Sequence, residues 1–460
     1  MTWGKIKSLY GRTIRFLGSL KIAVITILAL AVISAIGTIV ESRYNTEVAQ
    51  KWVYFSVYMR IIMVMLVVSL TSSALVRWPW KKRHIGFLVV HLGIIILILG
   101  SYVTQVRGID GTMYFRIGET SSAVSLNNHD FVIYFSTDGE SYLPLFHREV
   151  DFLLRGPEKE KIDFPVGDKK IRVTEFLPFA TEKVEVRASE RPQDGPAVRF
   201  QLESSRLQVT EWIHMPGKIP QTFALGPAQV ILAREKPEPS GENEILLWPS
   251  SGRELNYQIH TKSQPKKIKS GKVKIGEALA TGWMDIQFRA LTFYPQARQI
   301  SEFQRLERPN QISRSAIKVE YGDEVHWIGL NSMLRLFDQN SVYIVTYGNR
   351  RIPLDFKITL DRFNMGTYQG TNRAMSYESE VNVEGLGKHT ISMNEPLKHK
   401  GFTFYQASFE QDQSGAPSAS VLSVNHDPGR WIKYLGSLLL VLGTLIMFYT
   451  RRAEARQEAK

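Results

Sequence analysis

Two histidines interrupt the apolar run RHIGFLVVHLGIIILILG, residues 83–100. His84 and His91 are seven positions apart, so on an α-helix their side chains share nearly one face, roughly 10 Å apart along the axis. His84 follows Lys81, Lys82 and Arg83, at the edge of the run where water can solvate an imidazole. His91 is two turns deeper, in hydrocarbon-like surroundings. An ionisable residue placed there is costly and tends to mark function. Three roles are open to it: ligand to a metal through a neutral ring nitrogen, step in a proton relay, or hydrogen-bonding partner of a neighbouring helix. No Asp or Glu within the apolar runs continues a proton path.

The elements that must position these histidines are membrane spans. Residues 22–40 and 85–106 carry no formal charge and are each long enough to cross a bilayer. Residues 61–76 reach that length when extended back to 52, which puts Arg60 near one end of a second span, 52–76. A fourth span is expected over 431–449, with Trp431 and Lys433 as interfacial anchors. The first run is too long for a signal-peptide core and lacks a small-residue cleavage site, so it is expected to be retained. Lys5, Lys7, Arg12, Arg15 and Lys21 precede the first span, and Arg77, Lys81, Lys82 and Arg83 fill the link between the second and third. Arg451 and Arg452 follow the fourth, whereas Glu41, Arg43, Glu47 and Lys51 between the first two spans sum to zero. The positive-inside rule therefore makes residues 1–21, the 77–83 link and the 450–460 tail cytoplasmic, and puts residues 107–430 outside.

Much of the net charge of +13 over 460 residues is accounted for by this topology and calls for no nucleic acid. The chain has no cysteine. A large exported domain must then be stabilised by its own core. Thiol–disulfide exchange, a cysteine nucleophile, iron–sulfur ligation and thioether attachment of haem to this chain are all excluded.

Beyond residue 107 the pattern turns from continuous to alternating. KIRVTEF (170–176), SAIKVEYG (315–322), VYIVTYG (342–348), SEVNVEG (379–385) and FTFYQASF (402–409) have the β-branched and aromatic alternation of half-buried strands. The expected fold class is a four-helix membrane anchor, three spans and one, around a large inserted all-β domain. That domain is expected to be an antiparallel sandwich or two successive lobes, with PEPSGEN (237–243) as a divider. Its histidines, His129, His147, His214, His260, His326, His389, His399 and His426, form no spaced metal-ligand set. No nucleophile elbow or phosphate-cradling loop accompanies them. His426 stands apart by position: just before the fourth span, it would lie at the membrane's outer face, where it could flank a bound ligand.

For His91, a haem iron suits a neutral imidazole, and a flat apolar macrocycle fits between helices. One axial histidine per chain requires a second ligand from a partner, because His84 and His91 on one helix face cannot clamp the same iron from opposite sides.

The order of motifs resembles the ResB family of cytochrome c biogenesis proteins, the smaller membrane subunit of the two-component synthetase. FLGSLKIAVITILALAVISAIGTIV is similar to that family's opening helix. HIGFLVVHLGIIILILG followed by GIDGTMYFRIGET is similar to its third helix and the entry to the outer domain. HKGFTFYQASFEQD and DPGRWIKYLGSLLLVLG are similar to its last strand and exit helix. The resemblance implies a multi-pass protein of the bacterial plasma (inner) membrane that carries non-covalent haem b. It also implies a ResC/CcsA-type membrane partner and delivery of haem outward for thioether attachment to apocytochrome c. Carried over, the intramembrane axial ligand to the haem iron falls on His91, with His84 second. Arg60 is placed where a guanidinium could meet a haem propionate, although snorkelling or pairing with Glu41 or Glu47 is the favoured reading of it. The family's tryptophan-rich motif belongs to the partner. RWPWKKR (77–83) is basic and cytoplasmic, so this chain is expected to be non-catalytic alone. Two other classes fit the same composition: a membrane-anchored sensor or scaffold with a ligand-binding β-domain, and a haem-binding subunit of an electron-transfer complex.

Overall fold

The computed structural model describes residues 11–458 apart from 138–140, 192–193, 206–207, 218, 227, 251–253, 266, 284, 339–340, 370–373 and 412–416. Lys5 and Lys7 lie outside the described residues. The helices are α1 (Leu20–Arg43), α2 (Thr46–Ala49), α3 (Val57–Leu75), α4 (Ile85–Arg107) and α5 (Arg430–Glu458). Four of them, α1, α3, α4 and α5, are long and apolar enough to cross a membrane. The three-plus-one arrangement around a large β-domain is the one the sequence led us to expect.

The start of α3 differs from the expected 52–76 span. Residues Gln50–Tyr54 form a π-helical turn, and Ser56 then caps α3 by accepting a hydrogen bond from the Met59 amide at 3.2 Å. Of the apolar residues before the cap, Val48, Ala49 and Val53 are buried, whereas Trp52 and Phe55 are exposed. The segment meets the β-domain through Tyr44, which stacks on Phe179, and Lys51, which reaches Asp151 at 3.1 Å.

The pair α4–α5 is held by closely approaching backbones. Gly86, Gly93 and Gly100 on α4 face Gly443, Gly436 and Gly429 of the other segment, and each set repeats every seven residues. A Cβ added at Gly93 would come within 2.8 Å of the Gly436 carbonyl, and one at Gly436 within 2.7 Å of the Leu97 amide. Small residues at such a crossing allow the van der Waals contact that drives helix association in lipid.

The β-domain runs from Ile109 to His426. Its first strand, Ile109–Arg116, and its last, Pro417–His426, pair antiparallel in register from Ile109↔His426 to Arg116↔Ala419. Entry and exit are thus neighbours, which delivers the chain from the end of α4 to the start of α5. Both strands belong to a ten-stranded sheet, and a five-stranded sheet built on Lys169–Ala188 packs over it around Phe131, Ile171, Tyr321 and Tyr347. A second lobe has its own core, including Phe200, Leu247, Trp283 and Phe288, between a four- and a five-stranded sheet. This lobe is nested. The chain leaves strand Lys169–Ala188, builds the lobe, and returns as Ala297–Arg305, which pairs back onto the strand it left. PEPSGEN does not divide the lobes: it joins Ala228–Leu232 to Asn243–Pro249, which are adjacent parallel strands of one sheet inside the second lobe.

Candidate functional site

On α4 the His91 Nδ1 lies 2.9 Å from the Phe87 carbonyl oxygen one turn earlier. A carbonyl can only accept, so Nδ1 carries the proton, and the lone pair of the neutral ring is on Nε2. No partner engages Nε2 among the described residues. The Phe87 ring lies 3.7 Å from the imidazole, centroid to centroid, and the Arg77 guanidinium covers Phe87 at 4.0 Å. Two residues separate His91 from Gly93, a rotation of roughly 200°. His91 is therefore on the side of α4 turned away from α5.

His84 has the opposite arrangement. Its Nδ1 accepts the Lys81 amide at 3.3 Å, closing the 3₁₀ turn Lys82–His84 that precedes α4. In the neutral ring the proton must then be on Nε2, which leaves no nitrogen free to donate to a metal. The two histidines that looked equivalent by spacing carry opposite tautomers.

Arg60 and His426 do not converge with them. Arg60 is exposed on the first turn of α3, and its guanidinium makes no hydrogen bond or ion pair among the described residues. Of the partners considered for it, Glu41 accepts from Thr46, and Glu47 is engaged by Lys51 at 2.8 Å. His426 closes the last strand, its Nδ1 2.9 Å from the Gly401 carbonyl and its ring against Phe402. It adjoins the outer end of α4, whereas His91 is 13 residues before Thr104 on that helix, roughly 20 Å away along the axis.

Two polar clusters at the membrane-proximal face had no signal in sequence spacing. Asp427 accepts from Thr104 Oγ1 at 2.6 Å, the Gly429 amide at 3.0 Å and Lys433 Nζ at 2.7 Å, tying the end of α4 to the start of α5. Burial would raise its pKa, but the Lys433 and Thr104 hydrogen bonds and the lysine's charge outweigh that and hold the carboxyl below its usual range. The second cluster is Lys51 between Glu47 and Asp151, beside a buried His129 whose Nδ1 is 3.1 Å from Tyr347 Oη. Burial of Lys51 opposes its charge, yet the two carboxylates more than compensate and raise its pKa. No group of three or more His, Cys, Asp or Glu able to hold a metal ion occurs among the described residues.

The fold and these positions define a multi-pass membrane protein with one large β-domain set between its third and fourth spans. Residues 336–419 and 412–455 match the model of the ResB-like family. A stretch of 106 residues is 35% identical to Protein NrfI of Wolinella succinogenes, covering 22% of this chain and 11% of that relative. The resemblance read from the order of motifs is borne out: over its last strands and exit helix the chain is ResB-like.

Proposed function

We propose that this chain is the ResB-type membrane subunit of a cytochrome c maturation complex, holding haem b within the bilayer and helping to pass it outward to apocytochrome c. The observation that carries the reading is the tautomer of His91. Its Nδ1 is tied to its own helix, and its neutral Nε2 is free on a face that α5 does not cover. A hydrogen bond from the other ring nitrogen to a backbone carbonyl orients an imidazole ligand and raises its basicity. The residues present would offer haem iron one imidazole nitrogen, His91 Nε2, since His84 Nε2 bears the proton and the ring beside His91 is the apolar Phe87. Any further ligand would come from another subunit, for which a ResC/CcsA-type haem-handling protein is the fitting class. When bound, haem supplies the vinyl groups that receive the apocytochrome cysteines. This chain's part is to hold and orient, with His91 as ligand and Arg77 over Phe87 closing the inner end. His426 lies at the outer end of α4, roughly 20 Å from His91 along the axis, and Arg60 is on the first turn of α3. At the outer face they are candidates only for a later position of the haem.

The test is haem content and cytochrome yield in the intact complex. His91→Ala should lower both while the subunits remain inserted and associated, and His91→Gly with added imidazole should recover part of the loss. His84→Ala should leave haem content near wild type. Normal haem and normal cytochrome maturation in His91→Ala would overturn the assignment. A sensor or scaffold role would predict that outcome.

A further inference from the structure

Where the segment after α1 docks against the β-domain, it closes over a cavity of about 600 Å³. Tyr44, Val48, Phe176, Phe179 and Leu330 give it a largely apolar and aromatic wall. Tyr44 directly follows the last residue of α1, so the cavity lies within a helical turn of the bilayer's edge. Two formal charges line it, and each already has a counterion within the protein. Glu47 is held by Lys51, and Arg314 by Glu182, with Ser332 Oγ at 3.1 Å.

One polar group on this wall is buried and incompletely used. His129 is 7% exposed and lines the cavity. Its Nδ1 meets Tyr347 Oη at 3.1 Å, and that oxygen in turn lies 3.3 Å from Ser315 Oγ. No protein atom engages His129 Nε2 among the described residues. Burial outweighs the nearby carboxylates and holds the imidazole below its ordinary pKa, so it is neutral at physiological pH. Whether Tyr347 donates to Nδ1, leaving Nε2–H, or accepts from it, leaving a lone pair on Nε2, the second ring nitrogen is an unengaged hydrogen-bonding group beside a largely apolar and aromatic wall at the membrane surface.

We propose that this cavity binds the head group of a membrane-borne quinone, with a ring oxygen hydrogen-bonded to His129 Nε2 (a quinone carbonyl accepting from it or a quinol hydroxyl donating to it) and the isoprenoid tail running into the bilayer beside α1. A flat, neutral ring with a polar oxygen at its edge matches the wall. A phospholipid phosphate or a haem propionate would need an uncommitted cation, and among the described residues the cation on the wall, Arg314, is already paired with Glu182. The site is separate from His91 and does not rest on the haem-handling reading.

The test uses the full chain in phosphatidylcholine nanodiscs, titrated with decylubiquinone and read by tryptophan quenching. Trp52, whose ring is 5.8 Å from that of Tyr44, is the reporter. Saturable quenching that is lost in Trp52→Phe is expected. His129→Ala should weaken binding by about tenfold or more, the loss of one buried hydrogen bond, and His129→Gln should restore part of it. Gln311→Phe, an exposed substitution at the cavity wall, should block binding without touching the core. His91→Ala should leave the titration unchanged. Absence of saturable quenching, equal affinity in His129→Ala and Gln311→Phe, or displacement by phosphatidylglycerol would each overturn the proposal.

Discussion

A histidine's chemistry depends on which of its two nitrogens is already engaged, and sequence spacing cannot tell. His84 and His91 were legible as a pair on one face, but only the local backbone shows that one presents a lone pair on Nε2 and the other an N–H. His129 was one of eight β-domain histidines with no distinguishing neighbour in sequence, and it is singled out by a strand partner more than 200 positions away. Its burial has a consequence for pH. Glu47, Asp151 and Asp130 favour its proton and Lys51 opposes it, yet desolvation wins and lowers its pKa from 6.5. Below that value the unfolded chain binds the proton more readily than the folded one, so stability is intact above 6.5 and falls as pH drops beneath it. His326 shifts in the same direction, so the contribution of His129 is read by difference. Between about pH 7.5 and about pH 5.5 the wild-type midpoint should fall further than that of His129→Gln, by thermal unfolding in detergent. Parallel pH profiles would refute the burial argument. Arg60, exposed and unpaired, supports a milder expectation: Arg60→Ala should retain haem and insert slightly less well, as judged by haem absorbance and membrane yield. A clear haem loss in well-inserted protein would instead favour the propionate contact.

Hydropathy read out the four spanning helices, because lipid demands long apolar runs and little else satisfies the backbone there. Their pairing was not legible. Gly86, Gly93 and Gly100 lie more than 300 residues before Gly429, Gly436 and Gly443, and neither heptad names its partner. The connection comes from the β-domain, whose first and last strands are neighbours and so bring α4 and α5 side by side. The same limit applies within the domain: alternation identifies strands but not their order, so the nested lobe and the parallel pairing of Ala228–Leu232 with Asn243–Pro249 escaped it. The glycine crossing predicts a specific weakness. Gly93→Val would drive a side chain into the Gly436 carbonyl, an overpacking that costs about 1–3 kcal/mol. It should lower the detergent melting temperature and reduce cysteine cross-linking engineered across α4 and α5. The same change at Gly118, with nothing within 4 Å but φ +84°, should strain only a surface turn and leave the cross-link intact.

Across the whole molecule, charge and packing constrain the topology independently. The positive-inside rule puts the basic 77–83 link and the C-terminal tail on one side. The structure adds that the segment between the first two spans is on the same side as the β-domain, since Lys51 bridges Glu47 and Asp151 across that contact. With all three side chains at most 30% exposed, Lys51→Ala should cost about 1–2 kcal/mol after allowance for partial solvation. Its effect should appear as proteolytic release of the 44–56 segment before the β-domain itself unfolds. The same contact sharpens the orientation test. A periplasm-active reporter fused after Thr120 or within 237–243 should be active, one fused after Lys460 inactive, and one inserted in the 77–83 link inactive as well. The docked segment forbids a mixed result in which the β-domain is outside while the loop following α1 is inside, because that arrangement would break the Tyr44–Phe179 stack and strand Asp151 without its lysine. Activity after Lys460 with silence after Thr120 would invert the protein, put the basic link outside, and end the reading of this chain as one that hands its cargo outward.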